Sequence, residues 1–401
     1  MTRFVSFEGA LSFAADLVRI PGLPGHEAEV AARVRREFET LGFSDVRVDE
    51  VGNVIGVVRG RGEAPPVMLN SHLDVVAEGD HAEWEVPPFA GTVSGGFLHG
   101  RGAMDIKGPL ALQTYAAVAL ADSAPGDVIV AHTVLEERGG LGMRHLLERG
   151  TVSPRAVVLG EATHGDICIG HRGRAELEVV IQGVAGHASV PARASNALDL
   201  LGPVLAGVRD LAEECGRDRV LGAENLVATM VDVRPETRNV IPDLVVVAVD
   251  WRVLPGAEGD ALLARLNGRI EARVGTTPRG LSWSTRLASE LQRTYTGVEE
   301  DVDLLSPGFL LPADHDVVVA AAEAAGRRTG GTGPAAVRTW SFATDGGWSC
   351  GVHGIPTIGF APGEEHFAHT NRERLDVEEA RWAFERYPAV IKAVQRALAG
   401  R

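Results

Sequence analysis

VIVAHTVLEE, residues 128–137, is an apolar run that stops on two adjacent acids, Glu136 and Glu137. Gly126 precedes it, and Gly139 and Gly140 follow it. Its length and flanks predict a strand buried on both faces. The two carboxylates then sit at the carboxyl end of that strand, the edge of an open α/β sheet where ligands bind. Two neighbouring acids at such an edge imply a division of labour, one holding a metal and the other moving a proton.

The same design recurs along the chain. Val67, Met68 and Leu69 run into Asn70, Ser71, His72 and Asp74. Residues 156–159, AVVL, run into Gly160 and Glu161. Residues 355–360 run into the loop APGEEHFAHTNRE, which carries His366 and His369. FLHGRGAMD delivers Asp105 just ahead of a helical stretch, 107–120. Five separate places in the chain thus offer metal-type groups that can meet on one sheet edge.

A length of 401 residues suggests about two domains, and an apolar content of 45% suits a sizeable core. The net charge of −15 argues against a nucleic-acid or anionic-membrane partner. Three widely spaced cysteines with no CxxC pair point away from a disulfide framework and towards a reducing, cytoplasmic setting. The first 20 residues read as an amphipathic surface helix and not as a signal peptide. No apolar run approaches the roughly 20 residues that span a bilayer.

Residues 7–20 and 26–42 read as helices, and strands pair around Gly52. Strands and helices then alternate as far as Glu161, which predicts a mostly parallel sheet flanked by helices. After Gly170 the pattern changes. RAELEVVIQ (174–182) reads as a half-exposed strand, followed by helix 196–215, strands 225–233 and 243–253, helix 260–274 and strand 280–287. That order is ferredoxin-like. From about residue 312 the alternation returns, with helices 314–326 and 377–398. The expected architecture is α/β: a discontinuous catalytic, metal-binding domain of residues 1–171 and 294–401, interrupted by a ferredoxin-like α+β domain of residues 172–293.

At strand spacing His72 and Asp74 share a face. An imidazole that binds a metal usually donates its other N–H to a carboxylate, and Asp74 is placed for that role. Asp105, in a tight turn, can bridge two ions. His72 and Glu161 would complete one coordination sphere, Glu137 and His369 the other, with His366 as the competitor of His369. Nitrogen and carboxylate ligands without thiolate suit two divalent ions, Zn²⁺ first and Co²⁺ or Mn²⁺ as alternatives. Such a pair lowers the pKa of a water and polarises a carbonyl. Glu136 would take the proton from that water and pass it to a leaving amine. The reaction class is amide hydrolysis.

Taken together, SHLDVV (71–76), GRGAMDIKGPLA (100–111), EERGGLG (136–142), GEAT (160–163), GHASVP (186–191), RNVIPD (238–243) and HTNRERL (369–375) resemble the dinuclear zinc hydrolase family. That family includes acetylornithine deacetylase, succinyl-diaminopimelate desuccinylase, glutamate carboxypeptidase and aminoacylase. The resemblance covers nearly the whole chain and implies His72, Asp105, Glu137, Glu161 and His369 as ligands, Glu136 as base and Asp74 behind His72. It selects His369 over His366. It also implies that His187 reaches across a homodimer to the tetrahedral oxyanion, that Asn239 and Arg252 hold the substrate carboxylate or the reacting carbonyl, and that the loop of Thr344, Asp345, Gly346 and Gly347 meets the substrate. The inserted domain would then be the dimerisation face and a lid. The expected substrate is an N-acyl amino acid, with short peptides (a dipeptidase or carboxypeptidase) as the second reading. An inactive dimeric binding homologue is a third reading, and it would require the loss of a ligand or of the base.

Overall fold

The computed structural model describes residues 5–328 and 332–400. The first four residues of the amphipathic N-terminal stretch lie outside the described residues. The chain forms two compact units, one of Met1–His171, Gln292–Glu300 and Leu310–Arg401, the other of Arg172–Leu291 and Asp301–Phe309.

The first unit is built on an eight-stranded sheet, ordered Ser44–Val48, Val54–Val58, Val128–Thr133, Val67–His72, Ala156–Leu159, Thr357–Gly359, Ile167–Cys168 and Val337–Arg338. The four strands from Val128–Thr133 to Thr357–Gly359 run parallel. The first two strands pair antiparallel with each other and with Val128–Thr133. Val67–His72 and Val128–Thr133 are buried at every position, as continuous apolar strands covered on both faces must be. Because the four central strands share one direction, their ends at His72, Thr133, Leu159 and Gly359 lie along one sheet edge.

Helices α1 (Phe7–Val18), α2 (Ala28–Leu41), α3 (Lys107–Val118), α4 (Leu141–Glu148), α7 (Asp316–Ala325) and α8 (Val377–Ala399) belong to this unit. Every residue of α3 is buried, and its polar side chains are satisfied. The Gln113 amide donates to Val158 O at 3.2 Å and accepts from Ser71 Oγ at 2.9 Å. Thr114 Oγ1 lies 2.9 Å from Leu110 O and 3.0 Å from His132 Nε2.

The second unit follows the βαββαβ order expected for it. Its sheet runs Asn225–Arg234, Leu244–Val253, Gly173–Gln182, Ser282–Leu287, antiparallel throughout. Alternation along Leu244–Val253 sends Val245, Val247, Val249, Trp251 and Val253 inward. Together with Ala175, Leu177, Val179 and Ile181 they form one core with α5 (Leu201–Glu213) and α6 (Gly259–Val274). The helix expected over 196–215 is preceded by a separate 3-10 turn, Ala197–Leu200. The sequence reading gave everything beyond residue 293 to the first domain. Asp301–Phe309 instead returns to the second unit, because Leu305 and Ser306 pair with Ala175 and Arg174.

His132, in the middle of the central strand, is fully buried, and that burial pushes its imidazole down to about 3. The unfolded chain therefore binds one more proton than the folded one between about pH 6.5 and 3. In metal-free protein this group should make stability fall as pH drops through that window, by up to about 1.4 kcal/mol per pH unit. Denaturant titrations of His132→Gln should show a flatter acid limb than the wild type. Parallel limbs would refute the assignment.

Candidate metal centre

His72 ends its strand with Nδ1 2.9 Å from the carbonyl oxygen of Asp74. A carbonyl only accepts, so Nδ1 carries a proton and Nε2 is the nitrogen that faces the acids, where a metal would take the place of its proton. The sequence reading put the Asp74 carboxylate on this imidazole. The carboxylate is farther, at 3.5 Å, and is occupied by backbone: Glu136 N donates to Oδ1 at 3.2 Å and Glu137 N to Oδ2 at 3.1 Å. Buried Asp74 thus ties the end of the His72 strand to the turn after the central strand. Within that turn, Glu136–Arg138, the two acids diverge. Glu136 Oε2 lies 3.9 Å from His72 Nε2, whereas Glu137 Oε1 lies 3.1 Å from His369 Nε2. Gly140 closes the turn at φ +81°, where a Cβ would come within 2.8 Å of Asp345 Oδ1.

Asp105 turns one carboxylate oxygen to each imidazole, Oδ1 to His72 Nε2 and Oδ2 to His369 Nε2, both at 3.2 Å. Glu161, just beyond the strand Ala156–Leu159, brings Oε1 to 3.6 Å from His72 Nε2. Among the described residues two groups therefore have ligand atoms within 4.8 Å of one another: His72, Asp105 and Glu161, and Asp105, Glu137 and His369. They share Asp105. His366 belongs to neither; it lies against Phe367 and pairs with Glu364 at 3.5 Å.

The electrostatics are those of a crowded anionic pocket. Burial pushes Glu136 and Glu161 well above the usual carboxylate range, and the neighbouring acids add to it. Glu137 is raised by burial and by Asp105. Burial alone would depress His72, but its contacts with Asp105 and Asp74 outweigh that and hold it well above the usual range. Contacts with Asp105 and Glu137 push His369 up to about 10. The two imidazoles hold Asp105 below the usual range despite its burial. Protons and imidazolium ions here stand in for cations. Two imidazoles and three carboxylates, with no thiolate, form a donor set that divalent ions fit.

The sequence reading missed three buried groups beneath the site. Glu373 accepts from Met104 N and Asp105 N, both at 3.1 Å, and pairs with Arg101 at 2.6 Å. It therefore holds the backbone from which Asp105 projects. Burial and Asp105 push it up to about 7. Lys107 is wholly buried, donates to Ile20 O at 2.6 Å and is lowered to about 7 by burial. Glu27 accepts from Leu135 N at 3.3 Å and is raised to about 7 by burial and by Asp74. A lysine opening a mostly apolar helix is the one signal among them that the sequence carries.

The other expected residues are not in either ligand group, although Asp345 is one of the acids that raise Glu136 and Glu161. Thr344, Asp345 and Gly346 are buried in the first unit. Thr344 is hydrogen-bonded to His171, and Asp345 Oδ2 accepts from Thr133 Oγ1 at 2.7 Å. Three indoles of the same unit are also anchored: Trp84, Trp340 and Trp348 each donate their N–H to a backbone carbonyl. His187, Asn239 and Arg252 belong to the second unit. The strand Gly186–His187 pairs with Val240–Ile241 and brings exposed His187 beside Asn239, whose carbonyl accepts from Ala188 N at 3.0 Å. Arg252 pairs with Asp250 at 2.8 Å.

Glu373→Gln should weaken metal binding about 10- to 100-fold, the usual cost of disturbing a ligand's support. Competition against a chromophoric chelator measures it. Unchanged affinity would show that the Asp105 turn holds without Glu373.

The profile of peptidase family M20/M25/M40 matches residues 68–393. Uncharacterized protein YgeY of Escherichia coli K12 is 30% identical over 367 residues, 90% of this chain and 88% of its own. Succinyl-diaminopimelate desuccinylase of Ruegeria pomeroyi is 32% identical over 333 residues, 79% and 82% of the two chains. The YXEP protein of Bacillus subtilis, described as a dinuclear metal binding peptidase from the M20 family, aligns with a TM-score of 0.71 over 98% of this chain and 99% of its own. Its identity is 17%, so this likeness is one of fold. With a family match from residue 68 to 393, supported by relatives spanning most of its length, the chain belongs to peptidase family M20/M25/M40 and is a metal-dependent amide or peptide hydrolase.

Proposed function

We propose that this enzyme removes the acyl group from an N-acyl amino acid. Two divalent ions, Zn²⁺ before Co²⁺ or Mn²⁺, would be held by His72, Glu161 and Asp105 and by Asp105, Glu137 and His369. The observation that carries the reading is Asp105, whose two oxygens face different imidazoles at equal distance. When bound, such ions acidify a water and polarise the amide carbonyl. Glu136 lies beside both groups and belongs to neither. It is the residue free to accept the water's proton and return it to the leaving amine, a role that suits a carboxylate raised by burial. The Asp74 staple holds Glu136 and Glu137 apart so that each keeps its own task.

His187 is assigned to the oxyanion, delivered from a second copy of the chain, and Asn239 and Arg252 to the substrate's carboxylate or carbonyl. Thr344, Asp345 and Gly346 are assigned to the loop that meets the substrate, which the Thr133–Asp345 hydrogen bond ties to the end of the central strand. The second copy would cover the edge strand Asn225–Arg234, where Val227, Met230 and Val231 are 53%, 60% and 41% exposed. An apolar edge of that length invites pairing. The acyl-amino-acid reading leans on the desuccinylase relative. Three free cysteines suit a reducing, cytoplasmic setting, and among the described residues no helix is long and apolar enough to cross a membrane.

A panel of N-acetyl and N-succinyl amino acids and dipeptides, run with and without chelator, tests the reaction. Chelator-sensitive release from acyl amino acids is expected. Turnover of dipeptides alone would move the reading to an exopeptidase, and silence with no metal bound would leave only a binding homologue. Glu136→Gln should keep both metals and lose turnover by about 100-fold or more; undiminished turnover would remove Glu136 as the base. Met230→Glu should shift the protein from dimer to monomer in sedimentation. A wild type that is already monomeric would end the dimer proposal.

A further inference from the structure

HTNRERL supplies two metal-site residues, His369 and Glu373, and two arginines that the mechanism leaves unused. Arg372 and Arg374 both line a cavity of about 340 Å³, with Trp84, His99, His366 and Phe367 on its other walls. That volume lies within the range of small-molecule sites. The Arg374 guanidinium is centred 4.3 Å from the ring of Phe97 and 5.0 Å from that of Phe367. Two aromatic faces fix a guanidinium in place without neutralising it. Its Nε is buried and has no hydrogen-bond partner.

Among the described residues neither Arg372 nor Arg374 forms an ion pair, in a chain whose net charge is −15. The acids lining the cavity do not neutralise them. Glu373 is buried and committed to Arg101, while Glu85 is exposed and pairs with neither arginine. An arginine held this rigidly and left unpaired among acids presents a ready fork for an incoming carboxylate.

The cavity also adjoins the metal ligands. Phe367 and Asn371 line it two residues on either side of His369, so their Cα atoms lie within about 7.6 Å of that residue's Cα. Glu373, which also lines the cavity, accepts from Asp105 N at 3.1 Å. A substrate whose amide sits between His72 and His369 could therefore extend an arm into it.

We propose that this cavity takes a second carboxylate of the substrate, at the end of its acyl group or of its side chain. Arg374 is the specificity-determining residue, and Arg372 adds charge to the same cavity. The proposal rests on the acyl-amino-acid reading for its reaction, and on the cavity alone for its ligand.

Two matched pairs test it on metal-loaded enzyme: N-succinylalanine against N-butyrylalanine, and N-acetylglutamate against N-acetylglutamine. In at least one pair the wild type should favour the anionic member, through KM, by roughly 10- to 100-fold, the value of a hydrogen bond to a charged group. In Arg374→Met that ratio should fall towards one, and Arg374→Lys should restore part of it. No preference in either pair, or a ratio unchanged by Arg374→Met, overturns the proposal. Calorimetric titration of wild type and Arg374→Met with succinate provides a readout without turnover. If no substrate is cleaved but succinate affinity drops in the folded variant, the cavity stands and the hydrolase reading falls. Equal affinity overturns the cavity.

Discussion

The shared Asp105 carboxylate is the constraint on which the rest of the site depends. One oxygen per imidazole, each at 3.2 Å, leaves no freedom in where that side chain points. Glu161 approaches His72 and Glu137 approaches His369. Packing these acids together out of water is unfavourable unless positive charge lies among them. Imidazolium and bound protons meet that need here, and divalent ions would meet it with the correct donor types and no thiolate.

Around this cluster, buried polar groups do the positioning. Asp74 spans two strand ends by accepting from the backbone of both acids after the central strand. Glu373 does the same for the Asp105 turn and is neutralised by Arg101. Lys107 places a buried amine beneath the site, lowered to about 7 by burial, and Glu27 one more acid. Removing one partner of such a buried pair leaves an uncompensated charge, which costs about 3–5 kcal/mol. The scaffold under the ligands is therefore as constrained as the ligands themselves. The fully buried helix α3 and the parallel strands give it a rigid base.

HTNRERL shows how one short motif can face two ways. His369 reaches the cluster, Glu373 turns inward to its backbone, and Arg374 is set between Phe97 and Phe367 in a separate cavity wall. Site and cavity are thereby built from the same few residues. A change of side chain on the cavity wall can alter which substrate is accepted while the ligand positions stay fixed.

The sequence by itself determined the strand ends. Apolar runs that stop on His72, Glu136, Glu161 and the His369 loop specify parallel strands and place their polar termini on one edge, because strand direction and burial follow from local pattern. The βαββαβ order of the second unit was legible for the same reason. What only the tertiary structure decided were pairings between distant residues. Glu373 is 268 residues from the amide it holds at Asp105, and no local pattern signals that meeting. The return of Leu305 and Ser306 to the second unit depends on strand pairing with Ala175 and Arg174. Asp74 was read as the partner of an imidazole because spacing suggested it. The fold keeps that carboxylate 3.5 Å from the imidazole and also gives it two backbone amides, with the Asp74 carbonyl nearer to the ring, since only the folded turn reveals which donors lie within reach.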